Sequence, residues 1–474
     1  MGHMAGGHRT ILIDARVNAL PGAHGIARSV MKLVGHMREP DDGLRLRVLV
    51  NPRHEQIFPL SELPAYADVI GTDVTVFAQH RCWELGRLIR AVDAAVLYVP
   101  YPTFTPLIRP CPFVLTVHDC TIESNVGFAG NRLRQAAMRT VTGMALRRAA
   151  AMTAPSRASL AEIRRHYPAA PNPTLIPNGV DVQQFGQVTA TAVAAARARY
   201  QLPERFILAV GAHRPHKNHE VLVRALAAVP DDVGLVIVGY FDPNFRDPLP
   251  SLIAALRLES RVKLVPEVAE EWLPAVYRAA SVFAFPSLAE GYGIPVLEAM
   301  AAGVPVVMSD IEVLAEVAGS AAVTVGPRDV AGWASAVTAV LCDPALSGRL
   351  TGAGRGVAAA SGWAHGAAAL GRLLSAVAAG RPTRTCVTSP VPSSTRPRPA
   401  AGCSSVALGT GCVNTRDDRS PWPGQVVWLR PGSGRLGSDC PGRNHHVLAR
   451  AQRGGQNDSG ASAQYAAAPR RRPG

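Results

Sequence analysis

Over the first 380 positions, short apolar runs alternate with stretches in which apolar residues recur at helical spacing. Thr10-Ile-Leu-Ile-Asp14 predicts a short buried strand. From Gly25, residues Ile26, Val30, Leu33, Val34 and Met37 share one face and predict a helix. Leu44 to Val50 alternates and predicts a second strand. Trp83 to Val92 repeats at helical spacing through Leu85, Leu88, Ile89 and Val92. Ala94 to Pro100 and Phe113 to Asp119 read as strands ending in polar or turn-forming residues. A helix over Arg132 to Arg148 follows, then Ala151 to Ser156. Ser156 is placed to cap a helix from Arg157 to Ile163, without the glutamate of a capping box. Pro173 to Asp181 is a strand and a turn.

After a polar, Ala-rich connector, Val182 to Arg199, the pattern restarts. Arg205 to Gly211 opens a new sheet, and a helix from Asn218 uses Val221, Leu222, Ala225 and Leu226 as its core face. Asp232 to Gly239, Arg261 to Pro266, Ser281 to Phe285 and Val304 to Asp310 supply further strands, with helices between them. Asp329 to Leu341 is an amphipathic helix, and a further helix is expected over Trp363 to Val377. Such alternation predicts α/β architecture with doubly wound parallel sheets, whose ligands bind at the carboxyl ends of strands.

Composition changes after Gly380, where Pro, Gly, Ser, Thr and Arg dominate. Residues 381–474 are predicted to be a disordered basic tail, with no part in the fold. This locates the formal charge of +14: the tail holds fourteen Arg, no Lys and four Asp, leaving +4 for residues 1–380. Nucleic acid is therefore not an expected partner. A modest basic surface would favour peripheral contact with an anionic membrane face. No apolar run reaches the roughly 18–20 residues of a spanning helix, and the first ten residues lack a signal-peptide core. A cytoplasmic location is expected, possible contact with the inner face of the membrane included. The eight cysteines are scattered without a Cys-x-x-Cys pair, which argues against zinc and a disulfide framework.

The densest chemistry is Ser287-Leu-Ala-Glu290-Gly-Tyr-Gly-Ile-Pro-Val-Leu-Glu298, between a predicted strand and a helix with Pro295 near its start. Gly291 and Gly293 allow a tight turn and close approach to a ligand. The helix end offers unpaired N–H groups that suit a phosphate. On position alone, the segment could also be a βα turn with two solvated glutamates. Only three lysines occur, Lys32, Lys217 and Lys263, and none follows a glycine, which excludes a Walker-type loop. Lys217 lies in Gly211-Ala-His-Arg-Pro-His-Lys-Asn218, just before a helix start. His118 and Asp119 lie at a strand end. Gly25-Ile-Ala-Arg28 places N–H groups and an arginine at another helix start. Read alone, these are also a solvated lysine, a capping pair and an ordinary helix end.

Taken together, Glu290 and Glu298 with seven residues between them, the Gly-x-x-x-Pro-x-Lys-Asn loop, Val117-His118-Asp119 and Ile176-Pro-Asn-Gly-Val-Asp181 resemble the retaining GT-B-fold glycosyltransferases of family 4, including bacterial mannosyltransferase-like members. The resemblance covers residues 10 to 378. It implies two Rossmann-like domains facing across a cleft: an acceptor-side domain over 1–190 and a nucleotide-sugar-binding domain over 191–380, with a terminal helix, 363–378, crossing back.

The resemblance also implies roles. Glu290 would hold sugar hydroxyls near the anomeric carbon, with His118 contacting the sugar. Lys217 would meet the leaving diphosphate, with Arg214 or His216 as a second cation. Gly25 and the amides of Tyr292, Gly293 and Ile294 would hold phosphate, and Glu298 the ribose. The family's glycine after the Lys-Leu-Val strand is replaced by Pro266-Glu267-Val268, which leaves the base unread. The implied activity moves a hexose from a nucleotide-diphosphate sugar (GDP-mannose, or a UDP- or dTDP-sugar) to a glycan, lipid or small-molecule acceptor. The implied enzyme needs no metal and no cofactor beyond the donor. A catalytically silent binding subunit, a phosphorylase and a sugar-nucleotide epimerase are the alternatives. The phosphorylase would need a lysine for pyridoxal phosphate, and the three lysines have poor contexts for it.

Overall fold

The structure is a computed structural model that describes residues 9–381, apart from 21–23, 41–42, 77, 109, 130, 172 and 243–244. The expected tail therefore lies outside the described residues from 382 onward, as do Pro21 and Gly22 of the first loop.

The first sheet comprises β1 (Thr10–Asp14), β2 (Arg45–Val50), β3 (Asp68–Gly71), β4 (Ala94–Val99), β5 (Phe113–Thr116), β6 (Ala151–Ala154) and β7 (Pro173–Leu175). All pairs are parallel, in the order β3-β2-β1-β4-β5-β6-β7. The second sheet comprises β8 (Arg205–Val210), β9 (Val233–Val238), β10 (Val262–Val265), β11 (Val282–Phe285), β12 (Val306–Ser309) and β13 (Val323–Val325), also parallel, in the order β10-β9-β8-β11-β12-β13. Helices cover both faces, so inner strands such as β9 are buried along their whole length and read as continuous apolar runs. Winding reverses direction between β1 and β4 in one sheet and between β8 and β11 in the other. Those two reversals are where doubly wound sheets bind ligands.

Several elements depart from the sequence reading. The stretch 182–199 is no mere connector: it forms helices Val182–Gly186 and Ala190–Tyr200, capped by the side chains of Asp181 and Thr189. β3 went unread because it is a short, largely exposed edge strand whose Ile70 alone packs on the first core. Helix Pro344–Ala360 was hidden by Gly348, Gly352, Gly354 and Gly356, which weaken helix propensity. Packing overrides that cost: a Cβ on Gly354 would sit 3.0 Å from Met300, so the glycine lets this helix lie against helix Ile294–Ala301.

Helix Trp363–Ala378 belongs by sequence to the end of the second half, yet its Trp363, Ala367, Leu370, Leu374 and Val377 complete the core of the first sheet. The return is made through contact at Gly179, whose Cβ would fall 2.5 Å from the Trp363 backbone nitrogen, while Val180 bridges to Gly362. Backbone cannot yield as a side-chain tip can. Gly179→Ala is therefore expected to lower stability by about 2 kcal/mol, measured as an earlier urea midpoint. An unchanged midpoint would show that the crossing is looser than drawn.

Candidate active site

The loops after β8 and β11, the two strands at the second reversal, converge. Asn218 adopts the left-handed conformation at φ 54°, which asparagine tolerates better than most residues. Its side-chain amide donates to the carbonyls of Pro286 (3.0 Å) and Pro327 (2.7 Å), and the Leu288 amide donates to the His216 carbonyl at 2.7 Å. These bonds fix Lys217 beside the motif loop. Its Nζ lies 2.6 Å from Glu290 Oε1 and 5.3 Å from the centre of the Phe285 ring. Both charged side chains are mostly shielded from water.

The glycines are needed here. Gly293 has φ +107°, and helix Ile294–Ala301 starts directly after it. Gly291 lies so close to the loop after β5 that a Cβ would stand 2.4 Å from the His118 carbonyl oxygen. Two hydroxyls join the halves at this point: Ser156 donates to the Gly291 carbonyl (2.9 Å), and the Ser159 hydroxyl lies 3.0 Å from that same carbonyl oxygen and 2.9 Å from that of His118. Ser156 also caps its own helix by accepting from the Ser159 amide. Tyr292 packs on the second core and Ile294 on the first.

The His118 ring nitrogen Nε2 lies 3.0 Å from the Pro100 carbonyl oxygen. A carbonyl only accepts, so Nε2 carries the proton. Burial lowers the pKa of His118, so the ring is neutral at pH 7 and Nδ1 keeps its lone pair.

His216 and Arg214 flank Lys217 in very different surroundings. Burial, then Lys217 and Arg214, push His216 down to about 3, so it is neutral. Arg214 donates to Asp242 at 2.8 Å and to the Tyr240 hydroxyl at 2.8 Å.

His219 is likewise pushed to about 3 by burial and by His213. Unfolded histidines titrate near 6.5, so between about pH 6.5 and about 3 the unfolded chain binds more protons. Stability contributed by these rings is present above that window and is lost as pH falls, by roughly 2 kcal/mol per ring at pH 5. Burial raises Glu123, Glu162 and Glu298, and they act in the opposite sense. His216→Gln isolates one ring: its Tm is expected to fall less than that of the wild type between pH 7 and pH 5. Parallel curves would refute the assignment.

Glu298 is not grouped with Glu290. Only 2% exposed, it accepts from Arg28 on one oxygen and from the Tyr277 hydroxyl at 2.8 Å on the other. Arg28 also bonds Glu270 at 2.5 Å and lies over the Phe58 ring. Arg28 thus reaches from the helix that begins at His24, in the first half, to two carboxylates of the second. Gly25 precedes it, and its carbonyl accepts from Ser29. Lys32, Asp181 and Gln184 complete the walls of this narrow recess. Of the partners of Arg28 and Glu298, Glu270 and Tyr277 carry no sequence signal. They lie in the β10–β11 connection, where no local pattern marks them.

Two family models match the chain: Glycosyltransferase Family 4 over residues 23–184 and Glycosyl transferases group 1 over residues 195–357. The O-antigen chain mannosyltransferase RfbU of Salmonella typhimurium is 38% identical over 135 residues, 28% of this chain and 38% of that protein. The D-inositol 3-phosphate glycosyltransferase of Streptomyces scabiei is 30% identical over 281 residues, 56% of this chain and 63% of that protein. The chain spans about half the length of the curated relatives it matches. Among solved structures, the sucrose-phosphate synthase of Thermosynechococcus elongatus superposes with a TM-score of 0.64 at 21% identity, over 79% of this chain and all of the other. Alr3699/HepE of Anabaena does so with a TM-score of 0.62 at 19% identity, over 78% of this chain and all of the other. These likenesses show the fold.

Proposed function

Because this chain belongs to the GT-B-fold glycosyltransferases of family 4, we propose that its cleft transfers a hexose from a nucleotide-diphosphate sugar to a glycan or lipid-linked acceptor, with retention of configuration. The observation that carries this reading is the pairing of Lys217 with Glu290 at 2.6 Å, at the reversal of the second sheet and against the His118 loop. Bond cleavage at an anomeric carbon leaves positive charge on the sugar and negative charge on the diphosphate. A carboxylate and an ammonium side by side stabilise both. The N-terminus of helix Ile294–Ala301 and Arg214 add positive potential for the diphosphate, so this scheme calls on no metal. Neutral His118 suits a sugar hydroxyl better than a phosphate. No side chain is assigned as a nucleophile: the departing phosphate oxygen takes the acceptor's proton on the same face, which preserves configuration. Mannose is the first sugar to try, since RfbU is named for mannosyl transfer. The comparisons do not favour a silent subunit, a phosphorylase or an epimerase.

The test is a panel of GDP-, UDP- and dTDP-sugars with the purified full chain, scored by release of free nucleoside diphosphate and by NMR of the product's anomeric centre. Retention with one donor is the expected result. Inverted product would overturn the stereochemistry, and tight donor binding without turnover with any acceptor would overturn the activity.

A further inference from the structure

The Glu298 side chain is only 3% exposed, yet it is short of hydrogen-bond donors. A carboxylate offers about four acceptor sites on its two oxygens. Among the described residues Glu298 receives one donor on each: Arg28 Nη1 on Oε1, and the Tyr277 hydroxyl at 2.8 Å on Oε2. One site per oxygen is left, at the edge of the recess lined by Lys32, Asp181, Gln184 and Glu270. Buried polar groups are ordinarily satisfied, and two adjacent acceptor sites match a vicinal diol. The charge around them also favours hydroxyls over phosphate. Arg28 and Lys32 face Asp181, Glu270 and Glu298, and Lys32 is already paired with Glu62 at 2.9 Å. Arg28 itself is fixed from three sides. It donates to Glu298 and, at 2.5 Å, to Glu270, and its guanidinium lies 5.5 Å over the Phe58 ring. Tyr277 is held by the rings of Phe185 and Phe283. Burial pushes the Glu298 carboxyl up and the Arg28 charge pulls it down, so the guanidinium opposes protonation of the acceptor.

We infer that Arg28 is a positioning residue for the donor ribose: reaching over from the first half, it holds Glu298 as an oriented acceptor for both ribose hydroxyls, and so selects ribonucleotide over deoxyribonucleotide donors. Naming the diol as a nucleotide's rests on the transferase reading above. A lysine would not serve equally, because a planar fork can span two carboxylates while lying on a ring and a single ammonium cannot. Because Arg28 belongs to the first half and both carboxylates to the second, recognition of the ribose is complete only when the halves meet. GDP- and UDP-sugars fit this arrangement. A dTDP-sugar lacks the 2′-hydroxyl and leaves one buried acceptor site unfilled, which is costly.

The experiment titrates the full chain calorimetrically with GDP and UDP and with their 2′-deoxy analogues. Wild type is expected to bind the better ribonucleotide about tenfold or more tightly than its deoxy form. Arg28→Gln should weaken the ribonucleotide and hardly change the deoxy form, bringing the ratio to within about twofold. Arg28→Lys keeps a charge beside Glu298 and is the variant to read if Arg28→Gln fails to fold. Without the fork its ratio should also drop, to about threefold. Adding Arg28→Gln to Glu298→Gln should lower the ratio no further, because Arg28 acts through Glu298; a further fall would make Arg28 a direct ligand instead. A lower Tm with the wild-type ratio would reduce Arg28 to a structural clamp and overturn the proposal. Tighter ribonucleotide binding by Arg28→Gln would overturn it as well, by showing that Arg28 competes with the ribose. Equal binding of ribo and deoxy forms by wild type would remove Glu298 from the ribose and leave the transferase reading standing. Binding of no nucleotide at all would overturn that reading, and this proposal with it.

Discussion

Lys217→Ala is expected to lower turnover of saturating donor about a hundredfold, the usual cost of removing one preorganised donor from a developing oxyanion. The ammonium is held beside the reversal of the second sheet by the Asn218 bonds and the Phe285 ring, so it is in place before the leaving group gains charge. Its contact with Glu290 makes the two residues one unit. Lys217→Ala/Glu290→Gln should therefore lose much less than the product of the single losses. Turnover within a few-fold of wild type would remove Lys217 from the reaction, and strictly multiplicative losses would show that it acts independently of Glu290.

Glu290→Gln and Glu298→Gln should separate cleanly. Glu290, partnered by the lysine, stabilises charge that appears only as the bond breaks, so its loss should lower kcat more than about tenfold. Glu298 is proposed to accept ribose hydroxyls in ground and transition state alike. Its loss should raise KM by roughly 1.5–3 kcal/mol with kcat little changed. The structure adds a second effect. Glu298 is the buried counter-charge of Arg28, and breaking such a pair typically costs about 3 kcal/mol or more. Glu298→Gln should therefore also lower Tm, and Arg28→Met in the same chain should restore part of it. Swapped kinetic phenotypes would exchange the two roles. Two silent variants would end the assignment of this segment.

The sequence exposed what is local. Gly291, Gly293 and Pro295 constrain a turn and a helix start within a few residues, and strand–helix alternation carries the parallel sheets. Lys217 was visible because the chain otherwise relies on arginine. What stayed hidden depends on distance or environment. Arg28 meets Glu298 across 270 positions and Glu270 across 242, and no spacing rule spans such gaps. His216 could be read as a possible cation from its place in the loop, but its neutrality comes from burial beside Lys217 and Arg214, which only the assembled fold supplies.

The helix that returns from the end of the second half has a consequence for synthesis. β7 ends at Leu175, but the side chains that close the first core begin at Trp363. At about 5–20 residues per second, the ribosome takes roughly 10–40 s to cross that interval. Throughout it, the apolar face awaiting Leu370, Leu374 and Val377 is uncovered. A nascent chain stalled before residue 363 should expose that face to chaperones and proteases, even though every strand of its first sheet has already emerged.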